Sequence, residues 1–245
     1  MTLSDFLPEA RCLSSAYDLL AANSLAPAVP ADFPWPPGFG FRYWLNAVDD
    51  FLFFKERTFM GLFGSSADED LVLIVGTHTF LQWVKDAEGD PRSWTTSDGV
   101  SGNVEHGFSD VYGGISVVGA SGPVITLRQF LEAQQKTSRP VTIVGHSLGA
   151  AVGGIAAADA SFPRFVLFAM PKWGDLGLTK ALRAKARTNS IVVRNSQDYV
   201  PMQPPLPIYQ SWLPEITFNS DELGVGGSAE ERHSMNGCYL RACST

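Results

Sequence analysis

One run constrains this chain more than any other: Val141-Thr-Ile-Val-Gly-His-Ser-Leu-Gly-Ala150. Val141 to Val144 reads as a short strand buried on both faces, and Ser147 to Ala160 as a helix of small side chains. The string G-x-S-x-G lies at the joint between them. A strand that turns sharply into a helix strains the serine backbone and leaves no room for a Cβ at Gly145 or Gly149. Such a turn holds the Ser147 hydroxyl above the sheet edge. It also aims the Leu148 N–H, at a helix N-terminus, toward any negative charge that develops on an attacked carbonyl. In a chain with 23 glycines the bare string is not rare; the strand before it and the helix after it give it meaning.

The same alternation runs through the chain. Arg57 to Phe63 alternates at period two, and Leu71 to Val75 is a continuous apolar run suited to a buried strand. Val124 to Lys136 is helical, Phe165 to Phe168 and Ile191 to Val193 are buried strands with a helix over Leu178 to Ala186 between them, and Glu215 to Phe218 is the last strand. Apolar strands alternating with helices predict an α/β fold with a mostly parallel central sheet covered by helices on both faces. Residues 10–22 have helical spacing and Pro27 to Pro37 cannot be helix or central strand, so residues 1–40 read as a helix and a Pro-rich wrap on a single domain spanning 1–245.

Charged residues make up 18% of the chain, against about 25% in typical soluble domains. The net charge of −7 and the lack of a basic cluster argue against nucleic acid as a partner. No stretch approaches the ~18 consecutive apolar residues of a membrane span. The first residues carry acids where a secretory signal needs bases, and Pro8 interrupts any apolar segment, which predicts cytoplasmic residence or leaderless export. Of the three cysteines, Cys238 and Cys243 are close enough to close a small loop, but without an export signal reduced thiols are favoured. No metal or cofactor is expected.

A serine at its ordinary pKa is a weak nucleophile and needs a base, itself oriented by an acid. On sheets with this serine turn the order along the chain is Ser, Asp or Glu, His. Four histidines are present, and only His233 follows Ser147. His146 neighbours the serine, so its side chain should point away; His78 and His106 precede it. Asp159, Asp175, Asp198, Asp221 and later glutamates are candidates for the acid. Asp198 is favoured because it follows the Ile191 to Val193 strand, and strand C-termini carry the sites of α/β sheets. Asp175 also follows a strand but suits a helix cap.

Four ordered segments resemble the class 3 lipases, the fungal-type triacylglycerol lipase group of the α/β-hydrolase fold. Beside the Gly145 to Gly149 turn, they are Val104-Glu-His-Gly-Phe-Ser-Asp-Val-Tyr112, Phe168-Ala-Met-Pro-Lys-Trp-Gly-Asp175, Arg194-Asn-Ser-Gln-Asp-Tyr-Val-Pro201 and Arg232-His-Ser-Met-Asn-Gly-Cys-Tyr239. The resemblance runs from about residue 57 to 240. It implies a triad of Ser147, Asp198 and His233, with Thr77 joining Leu148 as an oxyanion donor. The family's arginine in this loop is replaced by Val75. It also implies a Trp-bearing lid over residues 78–99, where Phe80 and Trp83 share one face and would contact substrate or a lipid interface. An apolar stripe alone fits a permanently packed helix as well. The implied activity is serine carboxylic-ester hydrolysis, foremost of acylglycerols, with phospholipase A1 or small-ester (feruloyl-type) esterase action as alternatives on the same triad. The implied partner is a lipid or small ester substrate, and a non-catalytic scaffold is the reading from a different class.

Overall fold

A computed structural model describes residues 1–22, 24–48, 57–76, 89–119, 125–137 and 139–245. The strands run β1 (Gly40–Val48), β2 (Arg57–Ser65), β3 (Asp70–Ile74), β4 (Pro91–Thr95), β5 (Ser101–Glu105), β6 (Ser116–Val118) and β7 (Ile125–Thr126). Then follow β8 (Val141–His146), β9 (Pro163–Phe168), β10 (Ile191–Asn195) and β11 (Glu215–Phe218). Among the described residues, nine of them form one sheet in the order β11-β10-β9-β8-β3-β2-β1-β6-β7, and β4 pairs with β5 in a separate hairpin. The half from β3 to β11 is parallel; β2, β1, β6 and β7 extend it antiparallel.

Residues of β3 show why both faces need covering. Val72 and Ile74 point into one apolar layer, Leu71 and Leu73 into the other, as the period of two requires. The first layer is built from helices α2 (His106–Gly114), α3 (Leu127–Gln135), α4 (Leu148–Asp159) and α5 (Leu176–Lys185), through residues such as Phe108, Leu131, Ile155 and Leu182. On the opposite face lie α1 (Leu7–Leu20) and the C-terminal turns α6 (Ser220–Leu223), α7 (Ala229–His233) and α8 (Leu240–Cys243). Phe6, Leu13, Ala16, Tyr239 and Ala242 pack there against Val144, Val166, Phe168 and Val193. All twelve residues of α4 are buried, which explains its small side chains: only a slim helix lies this close to the sheet.

The expected strands and helices of the parallel half appear within a few residues of their predicted ends. Of the antiparallel extension only β2 was legible, in the period-two run from Arg57 to Phe63; β1, β6 and β7 were not. In β1 the register with β2 shifts between Phe41 and Tyr43 and again between Leu45 and Asn46; such irregularities break the alternation that marks a strand in sequence. Of the stretch 78–99 expected to form a lid, residues 89–99 are described, and they hold β4 and the turn into β5. Phe80 and Trp83 lie outside the described residues. Cys12, Cys238 and Cys243 are free and buried. Among the described residues no helix is long and apolar enough to cross a membrane.

Candidate active site

Ser147 sits where β8 becomes α4, with φ 61° and ψ −127°. A non-glycine residue in this region is strained by about 1–3 kcal/mol, and the close packing around the turn holds it there. A Cβ at Gly145 would run into the carbonyl of Gly149, and one at Gly149 into the carbonyl of Ile74. The turn therefore lies directly on β3. Leu148 opens α4, so its N–H belongs to the first turn, where amides have no carbonyl four residues back. Thr77 lies outside the described residues. β3 leads toward it, and at Gly76, two residues past the strand, a Cβ would stand 2.9 Å from the Ser147 Cβ. Val75, in the family's arginine position, is fully buried in the α1-side layer.

Two elements bring the other polar groups to Ser147, the turn after β10 and the end of α7. The Ser147 hydroxyl lies 2.7 Å from His233 Nε2, and His233 Nδ1 lies 2.8 Å from Asp198 Oδ2. A carboxylate only accepts, so Nδ1 carries the proton and Nε2 is the lone pair facing the serine O–H. All three residues are at most 6% exposed. Asp198 follows β10 on a tight turn and its Oδ1 accepts from Val200 N–H at 3.0 Å. His233 ends α7, which begins with a reciprocal cap between Ser228 and Glu231.

Several contributors were not singled out by sequence reasoning. Tyr239 donates its hydroxyl to Asp198 Oδ2 at 2.9 Å and accepts from Asn195 N–H at 3.2 Å. Burial, then the Asp198 charge, holds the Tyr239 phenol well above its ordinary pKa, so the donor keeps its proton. Asn195, fully buried at the end of β10, binds the Arg232 carbonyl and the Ser220 hydroxyl, each at 3.1 Å, and so ties the segment carrying His233 to the sheet. Its place at a strand end next to Asp198 was the only local hint; the bond partners are 25 and 37 residues away. The other acid candidates are occupied elsewhere. Asp175 caps α5 through Leu178 N–H at 3.0 Å, Asp159 accepts from Ser97 N–H, and Asp221 pairs with Arg232.

His146 points away from the serine. Its Nδ1 lies 2.7 Å from the Tyr17 hydroxyl and its Nε2 2.8 Å from the His233 carbonyl oxygen. Burial first, and the neighbouring His233 second, keep its pKa well below the ordinary 6.5. The unfolded chain takes up a proton here below pH 6.5 and the folded chain does not, so this residue's contribution to stability is present above 6.5 and is lost as pH falls. The stability gap between wild type and His146→Gln, measured by urea unfolding, is expected to narrow by up to about 1.4 kcal/mol from pH 7.5 to 5.5. A gap that stays constant contradicts the buried neutral ring.

Among the described residues no group of His, Cys, Asp and Glu is arranged to hold a metal ion. A cleft of about 200 Å³, lined by Met170, Lys172, Arg194, Pro201 and Met202 among others, opens beside the Asp198 turn and includes none of Ser147, Asp198 and His233.

Residues 71–207 match the family described as lipase (class 3). A 126-residue stretch is 32% identical to phospholipase A1-II 4 of Oryza sativa subsp. japonica, covering 46% of this chain and 32% of that protein. Phospholipase A1-II 7 of Oryza sativa subsp. indica is 27% identical over 228 residues, 76% of this chain and 56% of its own length. The chain thus spans from about a third to just over half of the curated relatives it matches. Triacylglyceride lipase of Rhizomucor miehei superposes with a TM-score of 0.64 at 17% identity, over 98% of this chain and 96% of that one. That likeness shows the fold, the α/β-hydrolase architecture expected from the sequence.

Proposed function

Because the chain belongs to the class 3 lipase family, we propose that it is a serine carboxylic-ester hydrolase that cleaves acylglycerol esters through an acyl-enzyme on Ser147. The observation that carries the reading is the unbroken hydrogen-bonded line from Ser147 through His233 to Asp198, at 2.7 and 2.8 Å. In this reading His233 Nε2 takes the Ser147 proton as the oxygen attacks the ester carbonyl, and Asp198 stabilises the imidazolium that forms. Leu148 N–H, with Thr77, binds the oxyanion; one such donor contributes about 2.7–4 kcal/mol to the transition state. His233 then protonates the departing alcohol. Water, activated by the same nitrogen, releases the fatty acid and regenerates Ser147.

The net charge of −7 disfavours anionic surfaces and supports neutral esters. A second reading, hydrolysis of phospholipids at one acyl position, is favoured by the rice relatives that carry the name phospholipase A1. A fluorophosphonate probe is expected to label the chain at Ser147, and an acyl-chain series offered as triacylglycerol emulsion, phosphatidylcholine vesicle and soluble p-nitrophenyl ester separates the readings. Faster turnover of the emulsion supports the first. Release of fatty acid from the vesicles alone replaces it with the second, and a chain that neither labels nor hydrolyses any of the three is not a hydrolase.

A further inference from the structure

A chain of hydrogen bonds with a fixed direction runs behind the nucleophile. His146 Nε2 faces the main-chain oxygen of His233, an atom that only accepts, so Nε2 carries the proton and Nδ1 is a lone pair. The Tyr17 hydroxyl must therefore donate to Nδ1, and its oxygen accepts the Gly76 N–H at 2.7 Å. The line reads Gly76 N–H to Tyr17 O–H to His146 Nδ1, then His146 Nε2–H to the His233 carbonyl. One end grips the backbone just past β3, packed against Ser147; the other grips the backbone of the base.

We propose that Tyr17 and His146 are positioning residues for the ester hydrolysis, setting the distance between Ser147 and His233 by bridging the Gly76 amide to the His233 carbonyl. The inference rests on the reading of Ser147 and His233 given above. The bridge is made to the main chain of Gly76 and His233, and the His146 ring packs beside the His233 ring with centroids 4.9 Å apart. Docking of α1 does not need the Tyr17 hydroxyl, since Phe6, Ala10, Leu13 and Ala16 of the same segment are already buried to 1% exposure or less. A polar bridge in such a layer is costly unless each donor meets an acceptor, and here each one does. The lowered pKa of His146 keeps the ring neutral near neutral pH, and the acceptor facing Nε2 selects its tautomer. Misplacing a nucleophile by a fraction of an ångström lowers the rate of the chemical step without weakening ground-state binding.

The test is Tyr17→Phe in the full chain, which removes one oxygen. With p-nitrophenyl butyrate, and with rates expressed per fluorophosphonate-titrated site, kcat is expected to fall about tenfold while KM stays within about twofold. An unchanged kcat per titrated site, or a loss confined to KM or to the number of titratable sites, overturns the proposal in favour of a purely structural contact. If the variant does not fold, ¹⁵N NMR of the imidazole rings in Ser147→Ala decides instead. A neutral His146 with the proton on Nε2 at pH 7 supports the bridge; a proton on Nδ1, or on both nitrogens, overturns it. A wild type that neither turns over esters nor labels at Ser147 overturns the hydrolase reading and this role with it, whereas a normal wild type beside an unaffected Tyr17→Phe overturns only the role.

Discussion

Ser147→Ala is expected to reduce ester turnover by about a million-fold, to the residue left by binding and oxyanion contacts. Without the hydroxyl there is no acyl-enzyme, and His233 Nε2 has no nucleophile to deprotonate. The fold should survive. The strained turn at φ 61° is fixed by its packing on β3, and alanine differs from serine there only by the oxygen. Melting temperature and circular dichroism check the fold, and p-nitrophenyl ester hydrolysis with fluorophosphonate labelling checks the chemistry. Turnover above one-hundredth of wild type in a well-folded variant would remove Ser147 from the mechanism.

Asp198→Asn is expected to cost about ten-thousand-fold in kcat, because of what surrounds the carboxylate. Three donors converge on it: Val200 N–H on Oδ1, and His233 Nδ1–H with Tyr239 O–H on Oδ2. Asparagine offers one oxygen and one NH₂ group. If the NH₂ faces Val200, two donors oppose each other in a buried site. If it faces His233, the imidazole must move its proton to Nε2 and can no longer accept from Ser147. Either arrangement leaves a buried donor unsatisfied, at about 1–3 kcal/mol, so the urea midpoint should fall along with kcat. A variant retaining a tenth of wild-type kcat would show that Asp198 does not orient the base.

What was legible from sequence was whatever is local. The serine turn is written in five consecutive residues, because the steric demand at Gly145 and Gly149 arises within one loop. The inner strands of the parallel half are mostly apolar runs, since helices cover both faces. Asp198 and His233 were readable through chain order and strand ends. Tyr17 was not, because its partners Gly76 and His146 are 59 and 129 residues away and its spacing in α1 looks like that of any packed aromatic. The same holds for Tyr239, which reaches Asp198 across 41 residues. The β4–β5 hairpin escaped for another reason: the β4 side chains are largely exposed, so no apolar pattern marks the strand.

The three thiols share the layer formed by α1 and the C-terminal turns. Burial foremost raises Cys12 and Cys243 to about 12 and Cys238 to about 11, so almost no thiolate exists at neutral pH and alkylating reagents find no nucleophile. All three lie behind the sheet, on the side away from α4. The chain therefore carries an internal gauge of how often that back layer parts: each alkylation event counts one opening of the layer from which Tyr17 reaches the site. Hydrolysis and thiol modification would then be two clocks, one at the edge of the sheet and one in the layer behind it.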